Sequence, residues 1–303
     1  MSPYGFYFFK KRITMRVFMY LILSFLALSF FSCKDEDPID DVDPNRISFF
    51  VGDKSYPNPK GTTLTNTNFF KFNIFAYYST ATMSPTTTMS PFINNLVVAK
   101  SLNVWDYIGN YYWPSTNYVQ FFGVANDENN NALPTGVSNW NIGQEGFPSF
   151  QFSTNTATNL QKDLVIASSL NKTKFNSPLG VAMNFKHILT RINITYNKAQ
   201  GSPYSMKKIE LIGVNTSGKF NFDSISGTWN NLTTPLPIVY WQGSQPFQNT
   251  PIVLNENMFI IPQSNLTLRL TFTTNQGITQ TQNAIVSPSQ IGGNIRYNVM
   301  ITR

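Results

Sequence analysis

Apolar residues recur at every second position through most of this chain. Leu266, Leu268, Leu270 and Phe272 alternate with Thr267, Arg269 and Thr271. Ile192, Ile194 and Tyr196 alternate with Asn193 and Thr195, and Ile295, Tyr297, Val299 and Ile301 with Arg296, Asn298 and Met300. Phe70, Phe72, Ile74 and Ala76 repeat the pattern. Successive side chains of a β-strand point to opposite faces, so this spacing gives each strand one apolar face. No stretch keeps a helical stripe for three turns. The best helical candidate, residues 158–166, is short and reads equally as a turn leading into a strand. Breaker-rich clusters at 57–61, 126–131, 141–146 and 292–294 separate the runs. The chain is therefore predicted to be mainly β, built of antiparallel β-sandwiches. One polar, breaker-rich connection, residues 197–203, divides it into domains over 47–200 and 204–303.

Composition supports the same class. Aromatics make up 15% of the chain, with 26 Phe and 14 Tyr, and such rings fit a pleated, half-buried surface. The counts of one Cys and one His exclude a disulfide framework, a Cys-based zinc cluster and any site needing two imidazoles. Phosphate-loop and calcium-loop spacings are absent from the sequence. His187 lies among apolar residues in NFKHILTRINITY, the setting of a structural histidine more than of a base. Nine acids outside the N-terminal region could in principle pair across a glycosidase cleft, but none sits in a signature. The expectation is a protein without catalytic residues, metal or cofactor.

The net charge of +7 mixes three segments. Residues 1–32 carry +4, residues 33–43 carry −5, and residues 44–303 carry +8. In the last segment Lys and Arg are scattered, without the patch or stripe that nucleic acid requires.

The first segment reads as an address. Basic residues ending at Arg16 precede an apolar run of 15 residues, Val17 to Phe31, and then Ser32 and Cys33. That order marks a secretory signal, cut between Ser32 and Cys33. The run is shorter than the roughly 20 residues a spanning helix needs, which leaves a retained anchor as the lesser alternative. Translation from Met15 would give a complete signal, as would translation from Met1. The sequence FFSC (30–33) resembles a bacterial lipobox, which makes Cys33 the lipidated residue. Residues 33–46, with six acids and two prolines, then form a solvated acidic tether. Lys-Asp-Glu directly after Cys33 is similar to the export signal that carries lipoproteins to the outer face in Bacteroidetes.

Two further features are open to more than one reading. Tyr111, Tyr112 and Trp113, together with Trp140 and Trp241, could present a sugar-stacking platform, or they could fill sandwich cores. Asp223-Ser224-Ile225 resembles a short O-glycosylation site, and five Asn-X-Ser/Thr sequons occur, as expected by chance in a chain this rich in Asn and Thr.

Several segments, taken in order, resemble the fimbrillin family of Bacteroidetes pilus subunits. They are FNIFAYY (72–78), PFINNLVV (91–98), YYWPSTNYVQFFGVA (111–125), DLVIAS (163–168) and LGVAMNFKHILTRINITY (179–196). MKKIELIGVNTSGKFNF (206–222) with GTW (227–229), MFIIPQ (258–263) and IRYNVMIT (295–302) complete the series. The resemblance implies two transthyretin-like β-sandwich domains on a lipid-anchored protein of the outer membrane, exposed at the cell surface in a fimbrium. Its partners would be other pilus subunits, joined by strand complementation, and host or microbial surface ligands. In that family, cleavage after an Arg in the loop following the first strand frees a groove, into which a neighbour's strand inserts by β-augmentation. Here the first strand would be residues 47–51, with Ile47, Phe49 and Val51 facing the groove. The loop after it holds Lys54 and Lys60 but no Arg, and Arg46 precedes the strand. The sequence ends at Arg303 directly on a strand-like segment. These departures suggest a terminal, anchoring or stand-alone member, with a glycan-binding surface lipoprotein as the alternative.

Overall fold

The computed structural model describes residues 43–52, 69–102, 104–126, 132–141, 145–198, 204–248, 250–254, 257–289 and 294–301. The chain falls into two units, Met1–Pro44 and Asn45–Arg303, and the fold below is that of the second. Among the described residues the strands of its first half are β1 (Phe49–Val51), β2 (Lys71–Ser79), β3 (Ser90–Ser101), β4 (Val104–Asp106), β5 (Tyr118–Ala125), β6 (Val137–Asn141), β7 (Ser149–Ser153), β8 (Val165–Lys172), β9 (Val181–Met183) and β10 (Lys186–His187). Those of its second half are β11 (Thr190–Lys198), β12 (Ser205–Asn221), β13 (Thr228–Pro246), β14 (Ile252–Val253), β15 (Met258–Ile260), β16 (Leu266–Thr273), β17 (Thr279–Val286) and β18 (Asn294–Ile301). The helical candidate contributes one short 3-10 turn, Thr158–Leu160, before β8.

Where one face of a sheet is wet, the alternation is as the sequence predicts. In β16, Leu266, Leu268, Leu270 and Phe272 are buried and the residues between them are half-buried. The central sheet, in order β10-β8-β5-β2-β3-β4, behaves differently. Phe72, Ile74 and Ala76 of β2 enter one core, while Phe75 and Tyr77 enter another. The same division holds in β5, where Val119, Phe121 and Ala125 face the first core and Phe122 and Val124 the second. Its inner strands β2 and β5 are covered on both faces, so their sequences read as near-continuous apolar runs such as FNIFAYY.

The first core lies between this sheet and the β1–β9 pair, and includes Ile47, Phe49, Val181, Met183 and Phe185. The second joins the central sheet to Phe150 and Phe152 of β7 and to Phe220 and Phe222. A third core holds Ile192, Ile194 and Tyr196 of β11 with Met206, Ile209, Leu211, Tyr240, Leu268 and Phe272. The 17-residue strand β12 runs through two of these environments. Its first half pairs with β16 and packs into the third core, and its second half pairs with β7 and leads into the second. Along its other side it pairs with β13 through four register shifts, which bend and twist so long a hairpin. Among the described residues two pairings are parallel, β1 with β9 and β11 with β18, and the remaining ladders are antiparallel.

Candidate functional site

The first strand occupies a built seat. In residues 45–51 the alternation is steep: Ile47 and Phe49 are buried, whereas Phe50 is 40% exposed. The segment is bonded on both sides. Tyr111 accepts from the Ile47 amide at 2.8 Å and Asn45 from the Trp113 amide at 2.9 Å, while Ser48 accepts from Val181 at 2.7 Å. Gly180, at φ +106°, leads β9 into that contact, and a Cβ there would lie 2.9 Å from the Ser48 carbonyl oxygen. Phe49 meets Phe72, Tyr107 and Phe121 edge-on at 6.3, 5.8 and 5.5 Å, the favourable geometry for aromatic rings. Val51 is half-buried against the same core.

Arg46 closes the entry to this seat. Its guanidinium donates to Asp106 Oδ1 at 2.9 Å and to the Tyr107 carbonyl at 2.9 Å. The Tyr107 hydroxyl donates in turn to the Ile47 carbonyl at 2.6 Å. Burial works against the Asp106 charge, but the Tyr107 amide and the Arg46 guanidinium outweigh it and hold the carboxyl below its usual range. Arg46 also forms an isolated β-bridge with Tyr112. The Arg46–Ile47 segment is thus tied down through the Arg46 side chain and through the amide and carbonyl of Ile47. Lys54 and Lys60, the possible cleavage positions in the loop after the first strand, lie outside the described residues, as do Ser32 and Cys33.

The five expected sugar-contact residues do not meet on one surface. Tyr111 and Trp113 pack against the first core, Trp140 against the second and Trp241 against the third. Trp140 stacks on Phe75 at 3.8 Å, lies nearly parallel to Phe150 at 5.7 Å, and donates to the Tyr77 hydroxyl at 2.7 Å. Burial pushes Tyr77 up to about 12, the Trp140 bond partly offsetting it. Trp113 meets Phe121 edge-on, and Trp241 tilts against Tyr196. Tyr112 is the exposed member of the set, at 43%.

Two arrangements were not legible in the sequence. Between Ser138 and Asn141 the β6–β7 register slips, and beside the slip opens a hollow of about 450 Å³. It is bordered by Asn139, Asn141, Gln151 and Lys219 along with Trp140 and Phe150. His187 Nδ1 lies 2.7 Å from Asp163 Oδ2, and that carboxylate, with 1% exposure, also accepts from the Leu164 amide. The histidine is thus held by a buried acid, as a structural role requires. Glu210 is matched by Lys208 and Arg269. Asp223 caps its own hairpin loop by accepting from the amides of Ile225, Ser226 and Gly227, which leaves Ser224 exposed. Among the described residues, no group of three or more His, Cys, Asp or Glu could hold a metal.

A family model described as fimbrillin-like matches residues 61–303. A fimbrial protein from Bacteroides vulgatus superposes with a TM-score of 0.56 at 19% identity, over 84% of this chain and 94% of that one. A candidate cell adhesion protein from Bacteroides uniformis gives 0.53 at 15% identity, over 86% and 94% of the two chains. Likeness at these identities concerns the fold. Among curated proteins, none matches the sequence.

Proposed function

The chain belongs to the fimbrillin-like family, and from that premise we propose that it is a cell-surface lipoprotein serving as a fimbrial component or adhesin. The observation that carries the proposal is the family match over residues 61–303, joined to a first strand seated in its groove. Anchoring is assigned to Cys33. Its support is the 15-residue apolar run ending at Ser32-Cys33 and the acidic tether beyond. Two transthyretin-like sandwich domains, 47–200 and 204–303, are proposed on the same footing. In favour of two bodies, the first core draws only on residues up to Phe185, while the third takes in Ile192, Ile194 and Tyr196 from the end of the first span with residues from Met206 onward. Partners would be other pilus subunits joined by strand exchange, with surface ligands of a host or another microbe.

Within the family we assign a terminal, anchoring or stand-alone role. A shaft subunit needs an open groove. Here the loop after the first strand carries no Arg, and the Arg that precedes it is engaged by Asp106 and Tyr107. A tethered strand competes with an incoming one at an effective concentration on the order of millimolar. Mass spectrometry of the mature protein from its host should find acyl chains on Cys33, and Cys33→Ala should release the protein from the membrane fraction. Retention of that variant would instead indicate a helical anchor.

A glycan-binding lipoprotein is the second reading. The hollow beside Trp140 favours it, because amide and ammonium side chains border an apolar floor there. Loss of glycan retention on Lys219→Ala, with an unchanged fold, would support it.

A further inference from the structure

Among the described residues, Ile108 at 96%, Phe175 at 92% and Leu179 at 88% exposure stand almost fully in solvent, as does Leu102 at 94% in the turn between β3 and β4. Single exposed apolar residues are ordinary. What sets Ile108, Phe175 and Leu179 apart is that each adjoins a residue touching the same short segment. Ile108 lies between Tyr107 and Gly109, whose carbonyls both accept from Arg46. Phe175 follows Lys174, whose ammonium donates to the Asn45 side chain at 2.5 Å. Leu179 precedes Gly180, which packs on Ser48. Residues 45–48 span only about 10 Å of extended chain. The three residues therefore each sit next in sequence to a contact of residues 45–48, where the polypeptide enters the body. Tyr112, the exposed aromatic, bridges Arg46 at the same place.

We propose that this end of the body is a membrane-docking surface, on which Ile108, Phe175 and Leu179 enter the interfacial layer of the bilayer. The inference rests on the lipid anchor at Cys33. From Cys33 to Asn45 is 12 residue steps, which reach at most about 40 Å when extended. The entry point is thus the part of the body that the tether keeps within reach of the lipid. Shallow insertion of a few apolar side chains binds only weakly on its own, but a tether supplies the high local concentration that makes weak binding count. An exposed Tyr suits the same setting, because its ring and hydroxyl match the layer between acyl chains and water. The acidic tether would be repelled by an anionic surface, so the occupant is a neutral or zwitterionic interface.

The single cysteine makes the test direct. Lipidation of Cys33 through sulfur leaves no thiol, so a cysteine introduced elsewhere is the unique labelling site. Full-length lipidated protein carrying Ile108→Cys, Phe175→Cys, Leu179→Cys or, for comparison, Ile285→Cys is labelled with an environment-sensitive dye. It is then reconstituted into phosphatidylcholine–phosphatidylethanolamine vesicles. Ile285 is 70% exposed on β17 and does not adjoin residues 45–48, so all four positions tolerate a label. The expected result is blue-shifted emission and quenching by nitroxide lipids at 108, 175 and 179, with neither at 285. If all four labels stay aqueous on vesicles that retain the protein, the inference fails and the anchor stands. If the wild-type protein takes label at Cys33 or fails to float with vesicles, the anchor fails and the inference with it.

Discussion

Arg46 lies over the ring of Tyr107, its guanidinium carbon 4.0 Å from the ring centroid, while donating to the carbonyl of that same residue. The pairing joins the residue before the first strand to the loop that follows β4. Three attractions act at once: cation on ring, charge on carbonyl and charge on the Asp106 carboxylate.

Arg-specific protease should leave the native Arg46–Ile47 bond intact. Ile47 is fully buried and its amide and carbonyl are both bonded, so cleavage requires the segment to open first. Brief digestion followed by N-terminal sequencing tests this. A new N-terminus at Ile47 under native conditions would mean that the seat opens readily.

Replacing Arg46 with Ala should cost about 1–2 kcal/mol, because Asp106 is 60% exposed and solvent screens that arm of the contact. Urea denaturation reads the loss. The same variant should exchange the Ile47 and Trp113 amides with deuterium faster than the parent, even where global stability is nearly kept.

Phe49→Ala should cost about 3–5 kcal/mol, the range for removing a fully packed ring. Phe50→Ala, one position along and 40% exposed, should cost far less. Equal losses at the two positions would show that β1 is not held by its inward face.

Stability should fall on both sides of neutrality. Tyr77 and Tyr196 are each pushed up from 10.0 to about 12 by burial. Above pH 10 the unfolded chain releases protons that the folded chain still holds, so stability declines as pH rises from about 10 toward 12. Asp106, Glu210 and Asp223 are held below their usual carboxyl range despite burial, by the amides and cations that face them. Their contribution is present above the unfolded carboxyl pKa and is lost as pH falls through their lowered values. Melting temperature against pH, with tyrosinate absorbance on the alkaline side, tests both limbs.

A cut within residues 199–203 should leave the two fragments associated. β7 and β12 pair over five residues across that connection, and Phe150 and Phe220, from opposite sides of it, stack at 5.3 Å in the second core. The nicked protein is expected to elute at the parent's volume in gel filtration and to separate only in denaturant. Separation in buffer would overturn the account of a shared core.

Strand positions were readable because alternation is a local property. The runs 72–78, 192–196 and 266–272 appear as β2, β11 and β16. Which faces are covered was not readable, since it depends on a second layer from elsewhere in the chain. Phe75 and Tyr77 looked like the outer side of a half-buried strand, yet both are buried beneath β7 and the residues after β12. Parallel pairing of β1 with β9 escaped for a like reason: no spacing in residues 47–51 names a partner some 130 residues away. Ile47 and Phe49 were expected to face inward through the family resemblance, since the apolar Phe50 blurs the alternation in residues 47–51. The Arg46 contacts with Asp106 and Tyr107 were not, because they depend on how a distant loop folds back.

A pull on the N-terminus would travel along residues 45–51. The bonds to Tyr111, Trp113 and β9 lie across that line, since ladder bonds run roughly perpendicular to their strands. Tension therefore shears them together instead of parting them in turn, and Arg46, first in line, is braced against two carbonyls and a carboxylate. The segment that fills the seat would therefore yield to tension along its length as one unit, all its cross-strand bonds at once.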